Sequence, residues 1–465
     1  MSAADPPRRH YWKIAILLCV LGIPILLCSG TATWWFARQQ IAAGKLASER
    51  AEIVARGLPI DNESIAEFRS ERMSHKLSDR WMRLLDQFET EAFLKSCEGV
   101  PIVGVTEDEP SVALDSPNKY QDDIERFLEQ WAGLRAELHE ITEGSGAIWT
   151  EIEFDSFATL LPRVQSSRSA ARLLSLEFKD AVRRDDREQA FHSIMATIGV
   201  ARSLESEPIL VATLVHLAIS GMALDDLKLA VERDLFNEEQ LLRLLDQLKS
   251  FDDFGTKYRL AIAGERAMSQ PVFDNPGQLM DEGNESNLGA RPIDALAALE
   301  FLEQAESIPT DNLTDFMVDA DAFETHVDRQ FKDAGWLQRW DTIMTSLTVP
   351  AVGAYATAIV RNTMQMRIAK LAIGLRLFQK PRSHWPDSLE KLSVSSIGVE
   401  LGPTEPIGDK PFGYRVENET AELWGFLPEN ASDSTPDSPP DPISVPENQL
   451  DQVDYWHWKL QTPTN

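Results

Sequence analysis

Cysteine is scarce in this 465-residue chain. There are three, Cys19 and Cys28 inside one apolar stretch and Cys97 beyond it. That number excludes a disulfide framework and a four-thiolate zinc site. Positive charge is also in short supply: 45 Lys and Arg stand against 74 Asp and Glu, a formal net charge of -29. A phosphate backbone would be repelled by most of such a surface, so nucleic acid is excluded as a partner. The eight histidines are scattered, with no pair at i, i+4 and no His-Glu-x-x-His, so no metal site is legible. There is no Gly-x-Ser-x-Gly elbow, phosphate loop or dinucleotide fingerprint, and no cofactor is expected. What is present, 43% hydrophobic and 26% charged residues, is the composition of a folded chain long enough for two to four domains.

The longest uncharged run lies at the N-terminus. Ile14 to Ala37 carries no charge and is bounded by Lys13 and Arg38. As helix it would extend roughly 36 Å, enough for a hydrocarbon core of about 30 Å. Tyr11 and Trp12 stand at one end and Trp34 and Trp35 at the other, where amphipathic rings favour the headgroup layer. Arg8, Arg9 and Lys13 against Asp5 place residues 1–13 in the cytoplasm and export the body, although Arg38, Lys45 and Arg50 pull the other way. Cleavage as a signal peptide after Gly30-Thr31-Ala32 is the alternative; the run continues past that site through two tryptophans, which favours an uncleaved anchor. Two further runs, Pro208–Leu224 and Ile343–Val360, read as buried helices, the first because Glu205, Glu207, Asp225 and Asp226 bracket it tightly.

The rest reads as mainly α. Residues 38–380 form an exported helical domain, a bundle or α-solenoid-like body of helices about 20 residues long, with a loop over 269–292. Expected helices include Trp81–Lys95, Tyr120–Thr142, Arg163–Arg184, Arg187–Ser206, Ile209–Arg233 and Ala351–Gln379. Another opens at Asn237, whose spacing to Gln240 predicts a capping box, and runs to about Met268. Alternation at Phe412, Tyr414 and Val416, then at Leu423, Gly425 and Leu427, predicts a hairpin within a small α+β element over 381–427. Residues 428–465 are a Pro- and Asp-rich tail with a returning strand over Val453–Leu460.

Leu-Ala-Ile-Gly-Leu-Arg-Leu-Phe (371–378), Trp-Pro-Asp-Ser-Leu-Glu-Lys-Leu (385–392) and Gly-Asp-Lys-Pro-Phe-Gly-Tyr-Arg (408–415) follow one another. This succession resembles the globular part of type II secretion pseudopilins. With Arg-Gly-Leu-Pro-Ile (56–60), Ala-Leu-Asp-Asp-Leu-Lys-Leu-Ala (223–230) and Gly-Glu-Arg-Ala (264–267), it is also similar to uncharacterised single-span membrane proteins of planctomycete-type bacteria. The resemblance implies architecture and an exported body on the bacterial cytoplasmic membrane, and no activity. The pilin cleavage site and its glutamate are missing near Lys13–Val20, and Leu427-Pro428-Glu429-Asn430 replaces the Asp-Gly loop, so neither filament assembly nor a calcium site is expected.

Few residues invite a functional reading. Arg259, Glu265 and Arg266 form the most polar cluster on an otherwise apolar helix, either a binding site or an interhelical ion pair. Trp456 and Trp458 offer a stacking platform or a packed face. His216 reads as a hydrogen-bonded core residue and Cys97 as a buried thiol. The acid pairs Asp185/Asp186, Asp225/Asp226 and Asp252/Asp253 read as solvent-facing helix ends. No catalytic residue is assigned. Three functions remain: a membrane-tethered scaffold or binding protein with a protein or envelope-polymer partner, an accessory of a type II secretion or pilus-like system, and a membrane-anchored hydrolase.

Overall fold

The computed structural model describes residues 33–104, 120–144, 146–155, 159–249, 253–276, 290–348, 352–392, 412–427 and 454–462. Most of the apolar N-terminal run, residues 14–32, lies outside the described residues, as do most of the expected 269–292 loop and most of the tail. The chain is mainly helical, with a three-stranded antiparallel sheet near the C-terminus.

Helix α1 spans 33–55. Leu46 and Ile53, two turns apart on one face, are buried in a cluster with Val272, Phe273, Leu299 and Met344. Asp61 caps α2 (Asn62–Arg72) through a reciprocal box with Ser64. The helix expected over Trp81–Lys95 is three pieces: α3 (Ser78–Asp86), a 3-10 turn (Gln87–Glu89) and α4 (Glu91–Ser96). Thr90 makes the break, its Oγ1 accepting from Phe93 N to start a new helix. The helix expected over Tyr120–Thr142 likewise divides into α5 (Gln121–Gln130) and α6 (Ala132–Thr142). The break falls at Trp131, whose indole donates to Ser96 Oγ at 2.9 Å and packs edge-on against Phe93.

Helices α7 (Pro162–Arg183), α8 (Arg187–Ser203) and α9 (Leu210–Glu232) pack on one another at the centre. Among the described residues α9 alone is long and apolar enough to cross a membrane. It packs against α7, α8, α11 and α16, as the bracketing acids imply for a core helix. Asn237 and Gln240 form the expected capping box at the start of α10 (Glu238–Leu248). Helix α11 is Phe254–Asp274, separate from α10 and continuing six residues past the expected end, through Pro271. Val272 and Phe273 are fully buried there, and that burial outweighs the cost of a proline in the last turn. The chain then forms α12 (Pro292–Glu306), α13 (Leu313–Asp333), two short helices α14 (Trp336–Asp341) and α15 (Thr345–Thr348), and the long α16 (Val352–Arg382).

The hairpin falls where alternation predicts it. Strand β1 (Gly413–Glu417) pairs antiparallel with β2 (Thr420–Leu427), and Asn418 and Glu419 turn the chain with φ of 48° and 65°. Two consecutive positive φ values are the hairpin twist that matches flanking strands. The returning strand is β3 (Asp454–Gln461), which pairs with β2. The sheet is not a separate element: Phe412, Leu423, Trp458 and Leu460 share one apolar cluster with α7, α8, α9 and α16. Arg376 locks it in place. Its buried guanidinium donates to the carbonyls of Val231 (2.8 Å) and Glu232 (2.9 Å) at the end of α9, and to Gln461 O (2.6 Å) at the end of β3. One side chain thus satisfies a helix C-terminus and pins the last strand.

Candidate functional site

The polar residues singled out on α11 are not brought together. Arg259 donates to Thr310 Oγ1 at 2.8 Å on the exposed side. Arg266 is buried and pairs with Glu306 of α12, which Arg56 approaches to 4.0 Å. Glu265 points elsewhere, accepting from Leu210 N at the start of α9 at 3.3 Å; burial pushes its carboxyl up to about 7. Neighbouring Gly264 explains how α11 comes so close, because a Cβ there would sit 1.5 Å from Pro208 O. The three residues engage different neighbours: the loop after α12, the end of α12 itself and the start of α9. Arg266 takes its partner, Glu306, from outside the cluster, and Glu265 meets no arginine among the described residues.

Trp458 is no platform. It is 2% exposed and lies in the core beside Leu423 and Leu460. Strand alternation fixed which residues share a face, and not that the sheet would fold that face onto α16. Trp456 sits opposite Gly425 in the ladder. His216 is a core residue: its Nδ1 donates to Ala201 O at 2.7 Å, Lys257 Nζ donates to Nε2 at 3.3 Å, and burial pushes its pKa down to about 3. Burial raises the Cys97 thiol to about 11, which keeps it protonated at neutral pH. The acid pair at 225–226 departs from expectation. Asp226 is 2% exposed, with Lys179 of α7 3.5 Å from Oδ1 and no hydrogen bond to Oδ2 among the described residues, and burial pushes it up to about 7.

A large concavity lies where the sequence shows no motif. A groove of about 1070 Å³ opens between α6, α8 and α10. Met195, Ala196, Gly199 and Leu242 give it an apolar floor, and Glu140, Glu143, Glu238, Glu239 and Asp246 line it against a single permanent cation, Arg243. Gly199 lets α6 and α8 meet at its base, because a Cβ there would lie 2.6 Å from that of Thr142. Glu238 and Glu239 occupy the first turn of α10, where carboxylates also favour the helix dipole. A groove assembled from three helices far apart in sequence leaves no local motif to find.

One wall of the groove carries an ionic cluster. Glu177 of α7 receives Arg135 and, at 2.7 Å, His139 Nε2. Ser193 Oγ donates to the same carboxylate at 3.0 Å. Burial alone would raise this carboxyl, yet His139 and Arg135 outweigh it and hold it below the usual range. Ser193 is fully buried and gives its proton to the carboxylate rather than to the imidazole, so the trio is not a nucleophile, base and orienter. No group of three His, Cys, Asp or Glu able to hold a metal occurs among the described residues.

A second ion pair escaped sequence reading. Arg69 and Glu207, 138 positions apart and each 1% exposed, form a bidentate pair at 2.5 and 2.6 Å, and Arg69 also donates to Thr150 O at 3.0 Å. Comparison of the chain with family models, with curated proteins and with solved structures gives no match.

Proposed function

We propose that this protein is a membrane-tethered, extracytoplasmic binding protein, held in the bacterial cytoplasmic membrane by residues 14–37. Its groove between α6, α8 and α10 receives a cationic, partly apolar segment of a partner protein. The observation that carries this reading is the groove itself: an apolar floor beneath five carboxylates and one guanidinium, with Glu140 paired to Arg80 and Asp246 to Lys249 at its edge. Its volume is at the top of the range of small-ligand sites, about 300–1,000 Å³, and its open shape suits a segment laid along it. A lysine-rich amphipathic helix would place its apolar stripe over Met195 and Leu242 and its ammonium groups at the carboxylates. The chain's overall charge of -29 adds long-range attraction for such a segment.

The test uses the full chain in mild detergent, titrated with a Lys/Leu amphipathic peptide and with its Glu/Leu counterpart. The basic peptide should bind in a salt-sensitive way, and Glu238→Gln with Glu239→Gln and Asp246→Asn should weaken it by about tenfold. Equal binding of the acidic peptide, or affinity unchanged in the triple variant, sinks the reading. Vesicle flotation of the same chain without detergent tests the tether separately.

The secretion-accessory reading draws support from one feature. The long helix α16 packs on the sheet that the hairpin begins, and the resemblance puts a helix, a turn and a hairpin in that order. Crosslinking to pseudopilins, with export blocked on loss of the chain, is the outcome that would favour it. For the hydrolase reading, which needs carboxylates converging from distant helices, Ser193 offers no nucleophile, being turned onto Glu177.

A further inference from the structure

Helix α14 breaks the rule that large aromatic side chains find cover. Trp336 is 83% exposed and Trp340 53%, and Ile343 follows one turn later, also exposed. Trp336 and Trp340 stand one turn apart on α14 and Ile343 lies in the turn that follows, so three large apolar side chains are exposed within eight residues, Trp340 with the Arg291 guanidinium 5.4 Å from its ring centre. The inner side of the same segment is well held. Asp294 accepts from the backbone N–H of Met344 (3.1 Å) and Thr345 (2.8 Å), and Arg291 donates to Trp340 O. The exposure therefore belongs to an ordered segment.

This exposed segment has a neighbour of the same kind. Arg38 of α1 bridges to Asp341 at 2.8 Å, and the same guanidinium lies 4.8 Å from the centre of the Trp34 ring. Trp34, Trp35 and Phe36, at the first described turn of α1, are exposed as well. Two segments 300 residues apart thus bring exposed tryptophans of α1 and α14 near one another through Arg38 and Asp341. Exposed Arg339 stands between the two tryptophans of α14. Trp34, Trp35 and Phe36 close the uncharged run that starts after Lys13. Because Leu46 and Ile53 pack α1 onto the body, the exposed segment is fixed relative to the axis of α1.

We infer that Trp336, Trp340 and Ile343 form, with Trp34, Trp35 and Phe36, a belt that rests in the headgroup layer of a lipid bilayer. This rests on the proposed tether and adds that the body lies against the membrane rather than hanging from it. Indole rings favour that layer, with the apolar face towards the acyl chains and the N–H towards water. Arg339 supplies a cation for lipid phosphate.

The experiment reconstitutes the full chain in vesicles of phosphatidylcholine and phosphatidylglycerol, with and without brominated acyl chains, and reads tryptophan quenching. Trp336→Phe with Trp340→Phe keeps a ring at two exposed positions, so the fold is not at stake. Of five tryptophans then expected at the interface, Trp12 included, two are lost, and the bromine-quenched amplitude should fall by about two-fifths. If the chain floats with the vesicles but the amplitude is unchanged, the tether stands and the belt is wrong. The belt is also wrong if the double variant abolishes a vesicle-bound dimer, for then these side chains serve a second copy. A chain left at the bottom of the gradient without detergent overturns tether and belt together.

Discussion

Glu177 and Asp226 are equally buried carboxylates on helices that pack together, and they have opposite electrostatic fates. Glu177 receives Arg135, His139 and Ser193 and stays below the usual carboxylate range. Asp226 has one ammonium at 3.5 Å and an oxygen with no hydrogen bond among the described residues, and burial raises it to about 7. Surface exposure is the same in both, but Asp226 is the more completely desolvated, so burial together with the number and quality of partners sets which way each acid shifts. The interior is thus uneven: some charges are fully engaged, and others are pushed towards their neutral form by burial.

Arg69 and Glu207 extend the engaged extreme, and breaking that pair should have the largest effect. Arg69→Met leaves a carboxylate of 1% exposure without its guanidinium and frees the Thr150 carbonyl. Loss of one partner from a buried pair costs about 3–5 kcal/mol. Denaturant unfolding should show that loss with an unchanged slope. A loss under 1 kcal/mol would mean water reaches Glu207, and the distinction between engaged and stranded acids would lapse.

Asp226→Asn tests the other extreme. A carboxyl whose folded pKa is raised binds more protons in the native state than in the unfolded one. Wild-type stability should therefore fall as pH rises from about 4 to about 7, by up to about 1.4 kcal/mol per pH unit. The variant should lack that limb and be the more stable protein at pH 8. Glu177→Gln should act in reverse and more weakly. Its lowered pKa gives stability that is present above the unfolded value and lost as pH falls through the folded one, so the variant should lose stability at neutral pH and show a shallower acid limb. Two pH–stability curves of the same sign would end the contrast.

How much of this could be read in the sequence depends on range. Features set by neighbours in the chain were legible: the Asn237–Gln240 box, the hairpin, the returning strand, and the buried helix at 210–232 bracketed by acids. Features set by partners far away were not. Trp458 and Trp336 look alike in sequence, yet one is covered by the core and the other faces out, because the sheet docks on α16 and α14 docks through its opposite side. Trp131 breaks a helix that periodicity joins, through a bond to Ser96 thirty-five residues earlier. The groove has no local signature at all, since α6, α8 and α10 each contribute a few ordinary residues to it. Asp226 reads as a solvent-facing helix end until α7 is laid against it.

The smallest effect marks the boundary of the contrast. Glu140 accepts two hydrogen bonds from Arg80 at 2.7 Å, and these hold its carboxyl below the usual range, as partners do for Glu177. Yet Glu140 is exposed, so water replaces whatever Arg80 supplies, and salt screens the pair. Glu140→Gln should leave thermal stability unchanged within error at neutral pH and moderate salt. A clear shift in melting temperature would show that geometry alone, without burial, is enough to make an ion pair matter here. The different fates of Glu177 and Asp226 would then need an explanation other than the partners each finds in the dark of the core.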